Sequence, residues 1–202
     1  DALHEAGHPL IRCQLRDRYD LGGQYFLWEL ATAIAGYFLE INPFNQPNVE
    51  SAKVRAKEMV SAYKQNGSLP EGESTPPSGE ALDSFVADTV SRSGYIALQA
   101  YGQPTAEVEA ALQHIRLTLR DRYKMATTLG FGPRFLHSTG QLHKGDSGEG
   151  VFVQFVSTAP QDVAIPDQAG ELDSSISFDT LKKAQALGDA QALRDAGRRV
   201  IS

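Results

Sequence analysis

The sequence contains a single cysteine, Cys13, which limits the chemistry that the chain can carry. One thiol forms no disulfide within the chain and supplies no cluster of cysteine ligands for a metal. A reducing, cytoplasmic setting is therefore expected. The chain begins at Asp1, without the basic and then apolar start of a secretory signal, and we expect it to be part of a longer protein.

Blocks of positive charge and long hydrophobic runs are also missing. The net charge is -6, from acids and bases that alternate along the chain, which argues against a nucleic acid partner. Residues 25–39 are apolar on nearly every side of a helix, but Glu29 lies near the middle and the run is shorter than the roughly 20 apolar residues that cross a bilayer. We expect a buried core helix, with Tyr25, Phe26 and Trp28 in the core, and no membrane association.

Short apolar runs alternate with helical patterns, as in parallel strands joined by crossover helices. The predicted strands are residues 10–15, 95–100, 125–129, 151–156 and 199–201, and the predicted helices are residues 23–40, 47–65, 79–91, 105–120 and 178–196. Pro47 suits a first helical position, Thr105 an N-cap and Gly67 a helix end. The prediction is an α/β fold: a three-layer αβα sandwich with a mostly parallel five-stranded sheet, in one domain spanning residues 1–202.

Ligands in such sheets bind beyond the carboxyl ends of the strands, which directs attention to two loops. One is INPFNQPN, residues 41–48, and the other is GFGPRFLHSTGQLHKG, residues 130–145. The second loop holds the densest polar cluster of the chain, namely Arg134, His137, Ser138, Thr139, Gln141, His143 and Lys144. Hydroxyl and cationic groups suit a phosphate or a sugar, whereas the spacing of the two histidines does not suit a metal. A surface loop or a domain interface is the alternative interpretation.

From Gly36 the sequence reads GYFLEINPFNQPNVESAK, and one motif in it is specific. An aromatic residue is followed by Asn, Gln, two further positions, Val-Glu, two more positions and Lys, here Phe44, Asn45, Gln46, Val49, Glu50 and Lys53. This resembles the C-terminal signature of phosphoglucose isomerases, except that Asn48 stands where glycine is usual. Together with residues 130–145 and the closing FDTLKKAQALGDAQALRDAGRRV, the chain resembles the isomerase half of transaldolase fusions.

The resemblance implies a flavodoxin-like sugar-isomerase (SIS) domain. It implies interconversion of glucose 6-phosphate and fructose 6-phosphate, in glycolysis and gluconeogenesis, by ring opening and enediol proton transfer. Lys53 inherits the role of the cation near the ring oxygen or the enediolate, and Gln46 that of a hydrogen-bond partner of sugar hydroxyls. Arg134, His137, Ser138 and Thr139 are candidate substrate contacts. No redox cofactor or metal is implied.

The family's carboxylate base and ring-opening histidine precede this signature, so we expect them upstream of Asp1. The expected partners are the sugar phosphate, the upstream isomerase and possible transaldolase domains, and a second copy in a homodimer, while the isolated piece is expected to be inactive. In the alternative interpretations, Lys53 pairs with Glu50 on a solvated helix face and Gln46 is an ordinary loop residue. A non-catalytic, regulatory module that binds sugar phosphates is the rival function.

Overall fold

The computed structural model describes residues 2–76, 78–89 and 94–202, and the chain divides into two compact units, Asp1–Asn45 and Gln46–Ser202. The first unit contains helices α1 (Ala2–Glu5) and α2 (Asp20–Leu39). Helix α2 ends at Glu40, which adopts a left-handed conformation (φ 56°) and donates its backbone N–H to the carbonyls of Gly36 and Tyr37.

The expectation that α2 is a core helix is wrong in this structure. Its large side chains are exposed, with 58% of Trp28, 65% of Tyr25 and 69% of Phe26 accessible, and Glu29 is exposed as well. The helix is apolar on all sides, and such a helix is normally buried by other elements. Among the described residues of its own unit, the only other helix is α1, which has four residues. Across the described part of the chain, no helix is apolar and long enough to span a bilayer.

The predicted strand at residues 10–15 is also wrong. These residues have no regular structure, and all six are exposed, including Ile11 at 82%. A strand needs a neighbour for its backbone hydrogen bonds, and the described residues of the first unit contain none. Apolar composition without a pairing partner therefore did not produce a strand.

The second unit carries the sheet. Its helices are α3 (Pro47–Asn66), α4 (Gly79–Thr89), α5 (Ala106–Tyr123), α6 (Gly140–Gly145) and α7 (Phe178–Asp195), with a 3₁₀ helix at Arg134–His137. Its strands are β1 (Tyr95–Tyr101), β2 (Ala126–Phe131), β3 (Gly150–Val156), β4 (Ala164–Ile165), β5 (Ile176–Ser177) and β6 (Arg199–Ile201). The last two residues of the helix predicted at residues 79–91 lie outside the described residues.

The main sheet has four strands in the order β2-β1-β3-β6, and all of its pairings are parallel. Leu98 of β1 stands opposite Leu129 of β2 and Val153 of β3. The α/β class and the parallel sheet are confirmed, but the sheet has one strand fewer than predicted. The short strands β4 and β5 form a separate antiparallel pair.

Helices cover both faces of the sheet and complete the three-layer sandwich. On one face, Ile96 and Leu98 pack with Val86 of α4 and Leu119 of α5. On the other face, one cluster joins Ala97 and Phe152 to Leu193 of α7, and another joins Tyr101 to Phe135 and Ala186. Burial of each such large apolar side chain contributes about 1.5–3 kcal/mol, so both faces stabilise the sheet.

Helix α3 lies outside the sandwich and packs against α7 and α6. The contact with α7 is close at Gly188, where an added Cβ would lie 2.6 Å from the backbone nitrogen of Ala56. The predicted ends of the helices are confirmed: Pro47 begins α3, Gly67 (φ 75°) ends it, and Thr105 caps α5 by accepting a hydrogen bond from the Val108 N–H. Helix α3 therefore has a defined start, and that start carries the second half of the signature.

Candidate functional site

The beginning of α3 lies beside α6, and this contact joins the two loops that the sequence singled out. The backbone N–H of Asn48 donates to Oε1 of Gln141 at 2.9 Å. Gly145 of α6 also lies close to Asn48, since a Cβ added at Gly145 would lie 2.7 Å from Nδ2 of Asn48. Gln46 is the N-cap residue of α3 but makes no side-chain cap hydrogen bond. The amide of Gln46 is therefore not committed to capping the helix.

Lys53 lies on an accessible face of α3. Its Nζ is 3.2 Å from Oε2 of Glu50, and the two side chains are 50% and 63% exposed. This is the geometry of the surface pair that the sequence offered as an alternative. The substrate role of Lys53 stays a prediction.

The other predicted contacts lie around the 3₁₀ helix. Arg134 and His137 are exposed. The hydroxyls of Ser138 and Thr139 both donate to the carbonyl of Phe135, at 3.1 and 3.5 Å. Their protons are used within the turn, so toward a ligand these two oxygens remain available chiefly as acceptors.

The structure adds residues that the sequence did not single out as a site. His143 is buried between the rings of Tyr95, Phe135 and Phe152, with centroid distances of 6.3, 5.8 and 5.2 Å. Its Nδ1 lies 3.3 Å from Nε2 of Gln99, and a glutamine inside the otherwise apolar strand YIALQAY was the sequence signal for this contact. His143 was predicted only as part of the polar cluster, and the structure separates it from the exposed His137.

A cavity of about 120 Å³ opens next to His143. Polar lining comes from β1, from β2 and from the segment after the 3₁₀ helix, and the remaining lining is apolar. The lining residues are Leu98, Gln99, Thr128, Leu129, Gly130, Phe135, Ser138, Thr139 and His143. A larger hollow of about 540 Å³ lies near the end of α2, but residues 36–41 of one segment supply all of its lining, so it encloses little.

Burial first, and then the charge of Lys144, lower the pKa of His143 to about 4, while Asp146 acts in the opposite direction. The imidazole is therefore neutral at physiological pH. A neutral imidazole donates one hydrogen bond and accepts one. His143 is suited to holding an uncharged oxygen.

Lys144 points away from this cavity into the protein. Its Nζ is 2.5 Å from Oδ1 of Asp189, and its side chain is 2% exposed. The hydroxyl of Tyr101 donates to the other oxygen of Asp189 at 3.3 Å. Burial raises the pKa of Asp189, which Lys144 and Tyr101 partly offset, and burial together with Asp189 raises the pKa of Tyr101. Lys144 is consequently a structural cation and does not face the cavity.

Arg198 fixes the end of α6. Its guanidinium donates to the carbonyls of His143, Lys144 and Asp146 at 3.1, 2.8 and 2.9 Å. It also pairs with the carboxylate of Asp146, which accepts a further hydrogen bond from the Tyr95 hydroxyl at 2.7 Å. The pKa of Tyr95 is raised, mainly by burial and to a smaller extent by Asp146. These contacts hold the backbone from His143 to Asp146, on the C-terminal side of the His143 ring.

Among the described residues, no group of three or more His, Cys, Asp or Glu side chains is arranged to hold a metal ion. The described residues form a neutral, hydroxyl-rich cavity on an α/β sandwich, and helix α3, which bears Lys53 and is preceded by Gln46, packs against α6 and α7.

Comparison with known proteins gives short matches to one kind of enzyme. The chain is 41% identical over 54 residues to glucose-6-phosphate isomerase of Pediococcus pentosaceus, covering 26% of this chain and 12% of that protein. It is 53% identical over 44 residues to glucose-6-phosphate isomerase of Lactiplantibacillus plantarum, covering 22% and 10%. The chain thus spans about a tenth of the length of these relatives. About a quarter of the chain is thus similar in sequence to glucose-6-phosphate isomerases.

Two further comparisons complete this picture. No family model matches the chain. A crystal structure of a hypothetical protein from Thermus thermophilus aligns with 60% of this chain and 31% of its own, at a TM-score of 0.43 and 18% identity.

Proposed function

We propose that this chain supplies part of the active site of an aldose–ketose isomerase that interconverts glucose 6-phosphate and fructose 6-phosphate. The observation that carries the proposal is the motif Phe44-Asn45-Gln46, Val49-Glu50 and Lys53, in a chain with short matches to glucose-6-phosphate isomerases. The reaction requires opening of the sugar ring and transfer of a proton through an enediol. Lys53 is the proposed cation beside the ring oxygen or the developing enediolate.

The contacts of Lys53 are compatible with such a role. A surface Lys–Glu pair three residues apart on a helix contributes only about 0.2–0.5 kcal/mol. A sugar phosphate that approaches Lys53 therefore displaces Glu50 at little cost. Gln46 is the proposed partner of the sugar hydroxyls, and its side chain makes no cap hydrogen bond that binding would have to break.

The 3₁₀ helix and the residues after it are a proposed substrate contact. Arg134 and His137 are exposed and are the proposed partners of the phosphate. Ser138 and Thr139 present hydroxyl oxygens at the adjoining cavity. The link between Asn48 and Gln141 supports this grouping, because it connects the start of α3 to the same segment.

The setting of the whole protein is part of the proposal. We propose that the chain is the C-terminal SIS domain of a longer isomerase, whose upstream residues provide the carboxylate base and the ring-opening histidine. A transaldolase domain preceding the isomerase, homodimerisation, a cytoplasmic location and a place in glycolysis and gluconeogenesis belong to the same proposal. The location follows from the single cysteine, and the others follow from the resemblance of the motif.

The test is isomerase activity of the full-length protein carrying Lys53→Ala, with glucose 6-phosphate as substrate and fructose 6-phosphate measured as product. The expected result is a loss of at least about 100-fold in kcat with the circular dichroism spectrum unchanged. Lys57→Ala is the matched control, since Lys57 is exposed on the same helix and one turn further along. Normal turnover by Lys53→Ala contradicts the proposal, and a wild-type protein that binds fructose 6-phosphate without turnover replaces it with a regulatory binding module.

A further inference from the structure

The cavity beside His143 has a chemical character that the proposed role of Lys53 does not use. Its polar groups come from two strands, from residues 138–139 and from α6, and none of the side chains lining it is charged. Lys144, next to His143 in the chain, is held by Asp189, and Asp146 is held by Arg198 and Tyr95. The cavity is polar and lacks an ionic partner for an ionic ligand.

The orientation of two amides on the sheet indicates which nitrogen of His143 carries the proton. Gln154 of β3 stands opposite Gln99 of β1, and its Nε2 lies 3.5 Å from Oε1 of Gln99. The NH₂ group of Gln99 faces Nδ1 of His143 at 3.3 Å, and we infer that Nδ1 accepts. The proton of the neutral ring then resides on Nε2, and among the described residues Nδ1 alone has a hydrogen-bond partner.

Ring packing and backbone contacts fix the position of the His143 ring. Three aromatic rings surround it, and Arg198 holds the backbone carbonyls of His143 and Lys144. A donor that is fixed before binding loses little conformational entropy when a ligand arrives. His143 lines the cavity together with Thr128 and Ser138, and its unused Nε2–H is thus a preformed donor for an occupant.

The size of the cavity sets the size of its occupant. A volume of about 120 Å³ is the volume that about four water molecules occupy in liquid water. A three-carbon unit with hydroxyl and carbonyl oxygens has this size. The apolar part of the wall, from Phe135, suits the carbon atoms of such a unit.

We propose that this cavity binds the uncharged hydroxy-carbonyl end of a carbohydrate, with His143 donating its Nε2–H to a carbonyl or hydroxyl oxygen. The inference goes beyond the proposed function, because the cavity is a second carbohydrate site, apart from the reacting carbons beside Lys53. The same chemistry is offered by a free three-carbon sugar, and the test separates the two sources. None of the cavity side chains Gln99, Thr128 and His143 belongs to the proposed Lys53 site.

The experiment is a long-range ¹H–¹⁵N NMR spectrum of the chain with ¹⁵N-labelled histidine. The chain has five histidines, and comparison with His143→Gln assigns the relevant signals. We expect the pattern of a neutral ring protonated on Nε2, constant between pH 6 and 8. Addition of dihydroxyacetone or fructose 6-phosphate, up to the order of 10 mM because so small a contact binds weakly, is expected to shift the Nε2 signal of His143. Inorganic phosphate is expected to leave it unchanged.

Two variants keep the result interpretable. Thr128→Val removes a hydroxyl of the cavity on the exposed edge strand β2, and it is expected to weaken the response even where His143→Gln folds poorly. His114→Gln, on the exposed face of α5 across the sheet, is expected to leave the response unaltered. A stronger response to fructose 6-phosphate than to dihydroxyacetone identifies the end of a sugar phosphate as the occupant, and the reverse order identifies a free small sugar.

Three results overturn the inference: a ring protonated on Nδ1, no shift with either sugar, or an equal shift with inorganic phosphate. These are distinguishable from failure of the proposed function. Full activity of Lys53→Ala with an intact His143 response removes the proposed role of Lys53 and leaves the cavity as a binding site. A loss of activity in Lys53→Ala without any His143 response removes the cavity proposal alone.

Discussion

Lys144 and Asp189 form a buried ion pair, with 2.5 Å between Nζ and Oδ1 and side-chain exposures of 2% and 0%. The pair joins α6 to α7, and the Tyr101 hydroxyl adds β1 to the same contact. Desolvation makes such a pair a modest net contributor to stability, whereas loss of one partner leaves an uncompensated charge in the interior. The position of α6, and with it of His143, therefore depends on this pair.

The first prediction concerns removal of one partner. Lys144→Met is expected to lower the free energy of unfolding by about 3–5 kcal/mol, since Asp189 is then left buried and unpaired. Urea denaturation followed by circular dichroism measures the change. Lys53→Met is the matched control, because its partner Glu50 is exposed and the expected change is below about 0.5 kcal/mol. Equal effects of the two substitutions would show that burial of the pair does not matter.

A second prediction concerns pH. The pKa of His143 is lowered to about 4 in the folded chain, below its ordinary value near 6.5, so the unfolded chain binds more protons between these values. The stabilising contribution is complete above about pH 6.5 and is lost as the pH falls toward 4, with a slope of up to about 1.4 kcal/mol per pH unit. Denaturation curves at several pH values measure it. His143→Gln is expected to show a flatter dependence in this window, and an unchanged slope would contradict the lowered pKa.

The third prediction tests the contact between α3 and α7. Gly188→Ala introduces a Cβ 2.6 Å from the Ala56 nitrogen and 2.9 Å from its Cα, so the two helices are expected to separate slightly. Overpacking of this kind costs typically about 1–3 kcal/mol, which thermal or chemical denaturation detects. Gly79→Ala makes the same chemical change in open space at the start of α4. That control is expected to be neutral or stabilising, and a comparable loss there would point to backbone effects instead of packing.

A fourth prediction concerns Arg198. Arg198→Lys keeps the charge but cannot reproduce donation to three carbonyls, so we expect a loss of about 2–3 kcal/mol and faster amide hydrogen exchange in α6. Arg120→Lys, whose side chain is half exposed beside Asp121, is expected to change neither quantity. Unchanged exchange in α6 with Arg198→Lys would mean that other contacts fix the end of this helix.

Local signals in the sequence predicted the second unit well. The strands at residues 95–100, 125–129, 151–156 and 199–201 are present within a residue or two, because each is an apolar run bounded by turn residues. The predictions of a strand at residues 10–15 and of a buried α2 were wrong. Both outcomes depend on whether another element is present for the segment to pack against. An apolar pattern indicates that a segment needs to be buried, but it does not indicate which element buries it.

The site was predicted in part, for a similar reason. The polar cluster was found as a run of residues, but its division into exposed Arg134 and His137 and buried His143 and Lys144 depends on short helices at residues 134–145. Gln99 and Gln154 were visible only as polar residues within apolar strands, and their pairing follows from strand register. The motif that contains Lys53 was recognised from the spacing of its residues. The contacts of Lys53 could be seen only in the structure.

The pairing of β6 with β3 has a consequence for synthesis of the protein on the ribosome. Val151–Val153 of β3 pair with Arg199–Ile201, whereas β1 and β2 are available much earlier in the chain. At typical elongation rates of about 5–20 residues per second, β3 waits roughly 2–10 s with one edge unpaired. During that interval the sheet exposes a row of backbone donors and acceptors, so slow translation between residues 156 and 199 prolongs the period in which the nascent chain is prone to aggregate.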